Sequence, residues 1–112
     1  MTPALEGVLG NRSAAQVLLF IEAYGSGHAL RIANTYGVAV SSIQRQLRRL
    51  EACGVLVSRM VGSARVFEFD PRNPTVRNLR PFLQAELASL PEAEANAYYR
   101  QRQRPRRTGK RS

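Results

Sequence analysis

Apolar residues recur at two different spacings along this chain, and each spacing indicates a different secondary structure. Up to residue 50 most of them lie three or four positions apart, as on one face of an α-helix. Between residues 55 and 69 they partly alternate with polar residues, as in strands, and the helical spacing returns after residue 75. This order predicts a mostly α-helical chain with one small β-hairpin, an α+β fold.

Residues 30–56 contain the spacing of two short helices joined by a tight turn. The first helix has Leu30, Ile32 and Ala33 on its apolar face and ends at Tyr36. Gly37 follows at the position where a turn after a helix commonly needs a positive φ. We therefore expect a helix-turn-helix centred on this glycine.

The second of these helices, at about residues 40–53, has an apolar side and a cationic side. Ile43, Leu47 and Leu50 recur at helical spacing and would dock on the first helix, while Val38 fills the angle between the two. The residues that point away are polar or cationic: Ser41, Arg45, Arg48 and Arg49.

A hairpin is predicted directly after this pair of helices. Gly54 ends the second helix, and residues 55–60 form a partly alternating, β-branched run. Gly62 and Ser63 signal a turn before a second alternating run at residues 66–69. Residues 25–27, a Gly-Ser-Gly connector, can add a short third strand.

A helix-turn-helix followed by a small basic hairpin, or wing, resembles the winged-helix transcription regulators, in particular the arsenic-repressor-like and multiple-antibiotic-resistance-regulator-like bacterial families. The resemblance covers about residues 13–70. It is carried by residues 32–33, 37–38, 41–45, 47–51 and 54–56. It implies a winged helix-turn-helix with additional C-terminal helices. It also implies a homodimer that binds double-stranded DNA as a transcription regulator and represses by occupying a promoter.

One position departs from the pattern of these families. Ala39 stands where they usually have a serine or threonine that caps the second helix. Either Ser41 caps that helix, or the helix is less well capped, which costs about 1 kcal/mol.

Helices also flank this unit on both sides. Ser13 is the predicted cap of a helix that ends near Tyr24, and residues 75–90 form a later helix with Pro81 inside it. Ser89 and Glu92 have the spacing of a capping box, which predicts a last helix at about residues 90–102. We divide the chain into an arm (1–10), the winged helix-turn-helix domain (11–70), a helical extension (71–99) and a basic, disordered tail (100–112). The extension forms a dimer interface or, as the alternative, only covers the back of the three-helix core.

The charge of the chain strengthens the expectation of a nucleic-acid partner. The formal net charge is +9, and it is concentrated in two places. Residues 31–65 contain six arginines and only one acid, Glu51. The last thirteen residues contain seven cations and no acid: Arg100, Arg102, Arg104, Arg106, Arg107, Lys110 and Arg111. We expect this tail to raise affinity and salt sensitivity without selecting a sequence.

The second helix is narrow enough to enter the major groove of B-DNA. The residues predicted to read bases lie in its N-terminal half: Ser41, Ser42, Gln44 and Arg45. The residues predicted to contact the DNA backbone lie further along the helix and in the wing at residues 59–65: Arg48, Arg49, Arg59, Ser63 and Arg65. The alternative for any single arginine is a solvated charge, paired with Glu51 or Glu68.

Two other functional classes stay open at this point. The chain could be an architectural DNA-binding protein, or an antitoxin-like protein that binds DNA and also a protein partner. Tyr98 and Tyr99 could stack on unpaired bases, although packing inside the protein is the favoured role. An enzyme is not expected, because His28 is the lone histidine and no pair of nucleophile and base can be proposed.

No cofactor or metal is expected either. Metal sensing needs clustered thiolates or histidines, and Cys53 and His28 do not supply such a cluster. Cys53, the single cysteine, is predicted to be buried and inert. The chain has no apolar run of about 20 residues and no signal peptide. We therefore expect no membrane contact and a cytoplasmic, nucleoid-associated bacterial protein.

Overall fold

The computed structural model describes residues 1–101, and it is mostly helical with one two-stranded antiparallel hairpin. The elements follow one another as α1 (Pro3–Leu9), α2 (Arg12–Tyr24), α3 (Ala29–Tyr36), α4 (Val40–Ala52), β1 (Leu56–Val61), β2 (Ala64–Phe69), α5 (Pro74–Ala88), α6 (Glu92–Glu94) and a π-helical turn (Ala95–Tyr99). The predicted α+β class is therefore confirmed. No helix within residues 1–101 is both long enough and apolar enough to cross a membrane.

Helix α2 lies at the centre of the core. Eight consecutive residues, from 14 to 21, are buried, so this helix is covered on all sides by its neighbours. It contacts α1, α3, α4, α5 and the hairpin. The prediction that Ser13 caps it is wrong, because the Oδ1 atom of Asn11 accepts from the Ala14 N–H at 2.9 Å and Ser13 lies inside the helix.

Helices α3 and α4 are joined by the predicted glycine turn. Gly37 has a φ of 68°, and the N–H of Val38 donates to the Ala33 carbonyl oxygen at 3.0 Å. Ile32 and Ala33 are buried as predicted, but Leu30 is 57% exposed. Leu30 lies in the first turn of α3, on the side that faces the hairpin rather than the core.

The apolar stripe of α4 is confirmed, since Ile43, Leu47 and Leu50 are all buried. Gln46 is buried beside them, which the spacing alone did not predict. The cap position is Ala39, and no side chain caps the helix. Of the two alternatives for this helix, the less well capped one therefore holds.

The hairpin has a two-residue turn and a regular register. Leu56 pairs with Phe69 at its base and Val61 with Ala64 at its tip. In place of the predicted short third strand, Gly27 forms an isolated β-bridge with Phe67 through two backbone hydrogen bonds, of 3.0 and 2.8 Å. A Cβ atom at residue 27 would lie 2.6 Å from the Phe20 ring, so this close approach requires glycine.

Helix α5 packs against α2 and is held there by a buried carboxylate. The side chain of Glu22 is only 3% exposed. It accepts from Arg80 at 2.8 Å and from Gln84 at 2.9 Å, which satisfies its charge. On the same helix Val76 and Leu83 are buried, while Phe82 is 41% exposed.

The predicted helix at residues 90–102 is wrong in both its extent and its cap. Between residues 90 and 101 only Glu92–Glu94 is α-helical, and Ala95–Tyr99 forms a π-helical turn. No side chain caps this segment, because the Ser89 hydroxyl donates instead to the Ala85 carbonyl oxygen at 2.8 Å. The turn places Tyr98 and Tyr99 against Tyr36, with ring centroids 5.3 and 6.1 Å away.

The prediction that Cys53 is buried is also wrong, because its side chain is exposed. Helix α4 ends at Ala52, and Gly54, with a φ of 87°, turns the chain back toward the core. Val55 is buried instead, and its N–H donates to the Leu50 carbonyl oxygen at 2.9 Å. Helix α1 lies within residues 1–10, the segment that the sequence analysis interpreted as an arm.

Candidate nucleic-acid interface

The solvent-facing side of α4 collects most of the residues that the sequence suggested for base contact. Ser41, Gln44 and Arg45 are exposed, whereas Ser42 is half-buried beside the core stripe. The three exposed residues lie on the side of α4 opposite its buried stripe, so their side chains face solvent together. Ser42 is the least accessible of the four.

The three arginines of α4 differ in their partners. Within residues 1–101 the guanidinium groups of Arg45 and Arg48 make no hydrogen bond or ion pair with another side chain. The Nε atom of Arg49 donates to Oε1 of Gln46 at 2.9 Å, which holds Arg49 along its own helix. Two unpaired cations therefore project from this face.

Arg65 connects the hairpin to α4 through a chain of hydrogen bonds. Its Nη1 atom donates to the Ser58 hydroxyl at 3.0 Å. That hydroxyl in turn donates to Oε2 of Glu51 at 2.6 Å. Glu51, the single acid among the arginines of residues 31–65, thus fixes the position of the hairpin relative to α4.

The other polar residues of the hairpin are more loosely held. Arg59 and Glu68 form an exposed ion pair at 3.6 Å on one face of the hairpin. Such a pair contributes little stability, and salt weakens it further. Ser63 lies exposed in the turn at the tip. Arg59 and Arg65 therefore lie on opposite faces of the hairpin, and each has a side-chain partner.

A cleft of about 660 Å³ separates α4 from the hairpin, and we refer to it as the α4–hairpin cleft. Its charged lining residues are Arg48, Glu51 and Arg65, and its floor includes Leu47 and Phe67. His28 closes one end. Burial, and then the charge of Arg31, lower the pKa of His28, so its Nδ1 atom is free to accept from the Arg31 N–H at 3.4 Å and cap α3.

Of the basic tail, only Arg100 and Gln101 lie within the described residues. Arg100 donates to Glu92 at 3.1 Å and to Asn96 at 2.8 Å, beside the π-helical turn. The other six tail cations lie outside the described residues: Arg102, Arg104, Arg106, Arg107, Lys110 and Arg111.

Sequence reasoning did not identify Ser58 or His28 as part of this face. Ser58 is one polar residue in a strand, and the contact that gives it a role depends on the distance between α4 and β1. The one available signal was Glu51, an isolated acid among arginines, for which a partner was expected. The structure shows that its partner is a hydroxyl that also binds Arg65.

Comparison with models of known protein families, with curated proteins and with solved structures finds no match to this chain.

Proposed function

We propose that this protein is a winged-helix transcription regulator that binds a specific double-stranded DNA sequence, with α4 in the major groove and the β1–β2 hairpin against the backbone or the adjacent minor groove. The observation that carries the proposal is the exposed side of α4. Gln44 and Arg45 suit bidentate contacts with adenine and guanine, and the exposed Arg48 lies about one turn further along the helix. A hydrogen-bonded link to Arg65 holds the hairpin beside this face.

Two further features of the same face support a DNA ligand. The N-terminus of α4 has no side-chain cap, so its first N–H groups have no side-chain acceptor and can bind a phosphate. Exposed apolar side chains also lie around the face, at Leu30, Val40, Met60 and Val61. Apolar side chains contact thymine methyl groups and the walls of the minor groove in protein–DNA complexes.

Occupation of a promoter by this face would make the protein a repressor. The test is a binding titration with the DNA upstream of its own coding sequence and with a scrambled duplex, at about 50 and 200 mM salt. We expect preference for the promoter that persists at the higher salt. Arg45→Ala should lower promoter affinity by about 10- to 100-fold, because a bidentate base contact is lost.

The matched control is Arg72→Ala. Arg72 is also exposed, but it pairs with Asp70 at 3.0 Å and lies beyond the hairpin, so promoter binding should be retained. Equal and steeply salt-dependent binding to both duplexes would contradict sequence-specific regulation and would favour an architectural role. Co-purification of a second protein that alters promoter binding would favour the antitoxin-like alternative.

The proposed DNA complex contains a homodimer, since a two-fold protein matches a palindromic operator. Helix α5 is the proposed interface because Phe82 is exposed on it, while its buried positions are Val76 and Leu83. Sedimentation equilibrium should give a dimer for the native chain and a monomer for Phe82→Lys. A monomer in both cases would contradict this assembly.

A further inference from the structure

The tip of the β1–β2 hairpin is apolar, although the residues around it are cationic. Residues 60–64 carry no charged side chain, and Met60 and Val61 are the bulky side chains among them. Met60 is 54% exposed and Val61 is 49% exposed, so about half of each residue lies in water. The other three residues of the tip have short side chains. Adjacent exposed apolar side chains at the end of a projecting hairpin indicate a surface that a partner covers.

The two arginines that flank the tip are drawn away from it. Arg65 pairs across the hairpin with Met60, but its Nη1 atom donates at 3.0 Å to Ser58, which lies nearer the base of the hairpin. Arg59 behaves in the same way, because its ion-pair partner Glu68 also lies nearer the base. The hairpin therefore has cations along its length and an apolar end.

The tip has the shape of a narrow wedge. Successive side chains of a strand point to opposite faces, so Met60 shares one face with Arg65 and Val61 shares the other with Arg59. The turn between the strands has two residues, and Gly62 adopts a φ of 62° there. One apolar side chain therefore lies on each side of the wedge.

The minor groove of DNA is the surface that fits an apolar wedge beside cations. Proteins that bind this groove frequently insert apolar side chains into it and bend the duplex. The six arginines of residues 31–65 supply the attraction to phosphates that the tip itself lacks. The hairpin also lies against α4, so its tip extends toward the groove next to the one that α4 enters in the proposed complex.

An apolar side chain in the minor groove distinguishes A·T from G·C base pairs. Both pairs present acceptors there, but only G·C adds a donor, the exocyclic amino group of guanine. Neither Met60 nor Val61 offers a strong acceptor, so covering that amino group leaves a donor unpaired, which is unfavourable. The Ser63 hydroxyl, exposed in the turn, can instead donate to one of the acceptors of an A·T pair.

From these observations we propose that the hairpin tip enters the minor groove as an apolar wedge and, through Met60 and Val61, selects A·T over G·C base pairs there. The inference rests on the proposed binding of DNA by α4. It adds a second reading site to the one on α4, and this second site excludes an amino group instead of pairing with a base edge.

The test compares DNA duplexes that differ only in the amino group of the minor groove. Inosine in place of guanine removes this group, and diaminopurine in place of adenine adds it, while the major-groove faces stay the same. The probes are alternating I·C and G·C duplexes, and alternating A·T and diaminopurine·T duplexes, at equal length and salt. We expect each duplex without the amino group to bind about 5- to 20-fold more tightly than its counterpart.

Met60→Gln combined with Val61→Thr tests the assignment to these two residues. The new side chains keep nearly the same shape and charge, and both can accept a hydrogen bond from the amino group. Both positions are exposed, so the double variant should fold, and its affinity ratio should fall to about 1 to 2. Val8→Thr, at an exposed valine of α1, is the matched control and should keep the native ratio.

The possible failures are distinguishable. No binding of the native chain to any of these duplexes would contradict DNA binding itself, and this inference with it. Binding with equal affinities within each pair of duplexes, or an unchanged ratio in the double variant, would overturn the apolar wedge alone and leave DNA binding by α4 in place.

Discussion

The α4–hairpin cleft lies at one end of α3. A second cleft, of about 450 Å³, lies at the other end and is lined by Tyr36, Tyr98 and Tyr99; it is called the tyrosine cleft. The two differ in which of their polar groups lack a partner. At the start of α3, His28 borders a cleft flanked by the arginines of α4. At the end of α3, Tyr36 borders a cleft in which the charges are paired and an amide is not. Unpaired cations on an exposed face attract a polyanion, whereas an unpaired acceptor inside the core lowers stability.

The two regions also differ in how they are built. The face of α4 consists of neighbours on one helix, so helical periodicity alone brings its side chains together. The tyrosine cleft joins residues from α2, α3 and the π-helical turn, and one of its hydrogen bonds spans 63 positions of sequence. It therefore depends on the packing of the whole core, and changes to that packing should affect it more.

The largest expected effect comes from Gly27→Ala, where the hairpin meets the core. The new Cβ atom would lie 2.6 Å from the Phe20 ring and 3.2 Å from Ile32. Both neighbours are fully buried and have no room to move, so the free energy of unfolding should fall by about 3 kcal/mol. Urea unfolding followed by circular dichroism measures this change.

Gly7→Ala is the control for that substitution. Gly7 lies in α1 with no heavy atom within 4 Å of the added Cβ. Alanine should therefore be neutral or raise stability by up to about 1 kcal/mol, because it favours the helix. Equal effects at the two glycines would show that the contact with Phe20 is not the cause.

The next effect is a loss of stability at high pH that originates in the tyrosine cleft. Burial raises the pKa of Tyr99 to about 12, and burial likewise raises that of Tyr36. The unfolded chain loses these protons near pH 10 while the folded chain keeps them. The free energy of unfolding is therefore unaffected by these groups below about pH 10. It falls as the pH rises through the folded pKa values, by roughly 2 kcal/mol for Tyr99.

Urea midpoints measured between about pH 9 and 12 test this sign. In Tyr99→Phe the decline should be shallower, because phenylalanine has no proton to lose. A decline of the same steepness in both proteins would exclude Tyr99 as its source.

The same contrast explains which features could be predicted from the sequence. The stripe of Ile43, Leu47 and Leu50 follows from helical periodicity, and the hairpin turn follows from Gly62 between two alternating runs. The bond between Ser58 and Glu51 depends on how a strand lies against a helix, a distance that periodicity does not contain. The same holds for the contacts of Tyr36 with Tyr99.

Three local predictions were wrong, on the cap of α2, the cap of the last helix and the burial of Cys53, and each has a local physical reason. Asn11 lies one residue before α2 and caps it in place of Ser13. The Ser89 hydroxyl binds the end of α5 rather than the start of a new helix. Cys53 follows the last residue of α4, where the chain turns and helical spacing no longer indicates burial. Each error lies at a helix end, where several local hydrogen bonds compete.

A smaller effect separates two buried glutamines that the sequence does not distinguish. Gln16 and Gln46 are each 6% exposed, but only the side-chain oxygen of Gln46 has a partner, the Nε atom of Arg49. Gln16→Leu should raise the free energy of unfolding by about 1 kcal/mol, because an unpaired acceptor leaves the core. Gln46→Leu should lower it by a similar amount, since Arg49 loses its acceptor. Thermal unfolding of both variants gives the comparison, and changes of the same sign would contradict it.

The smallest expected effect is that of Ser58→Ala, which removes the link between the two cationic elements. Without the hydroxyl, Glu51 and Arg65 each lose a hydrogen bond in a partly exposed setting, so unfolding should become easier by only about 0.5 kcal/mol. Ser63→Ala, in the exposed turn, is the matched control and should change stability less. If Ser58→Ala proves as harmless as Ser63→Ala, the hairpin is held by Gly27 and its apolar base alone. In that case the α4 face and the hairpin are two independent cationic elements rather than one joined surface.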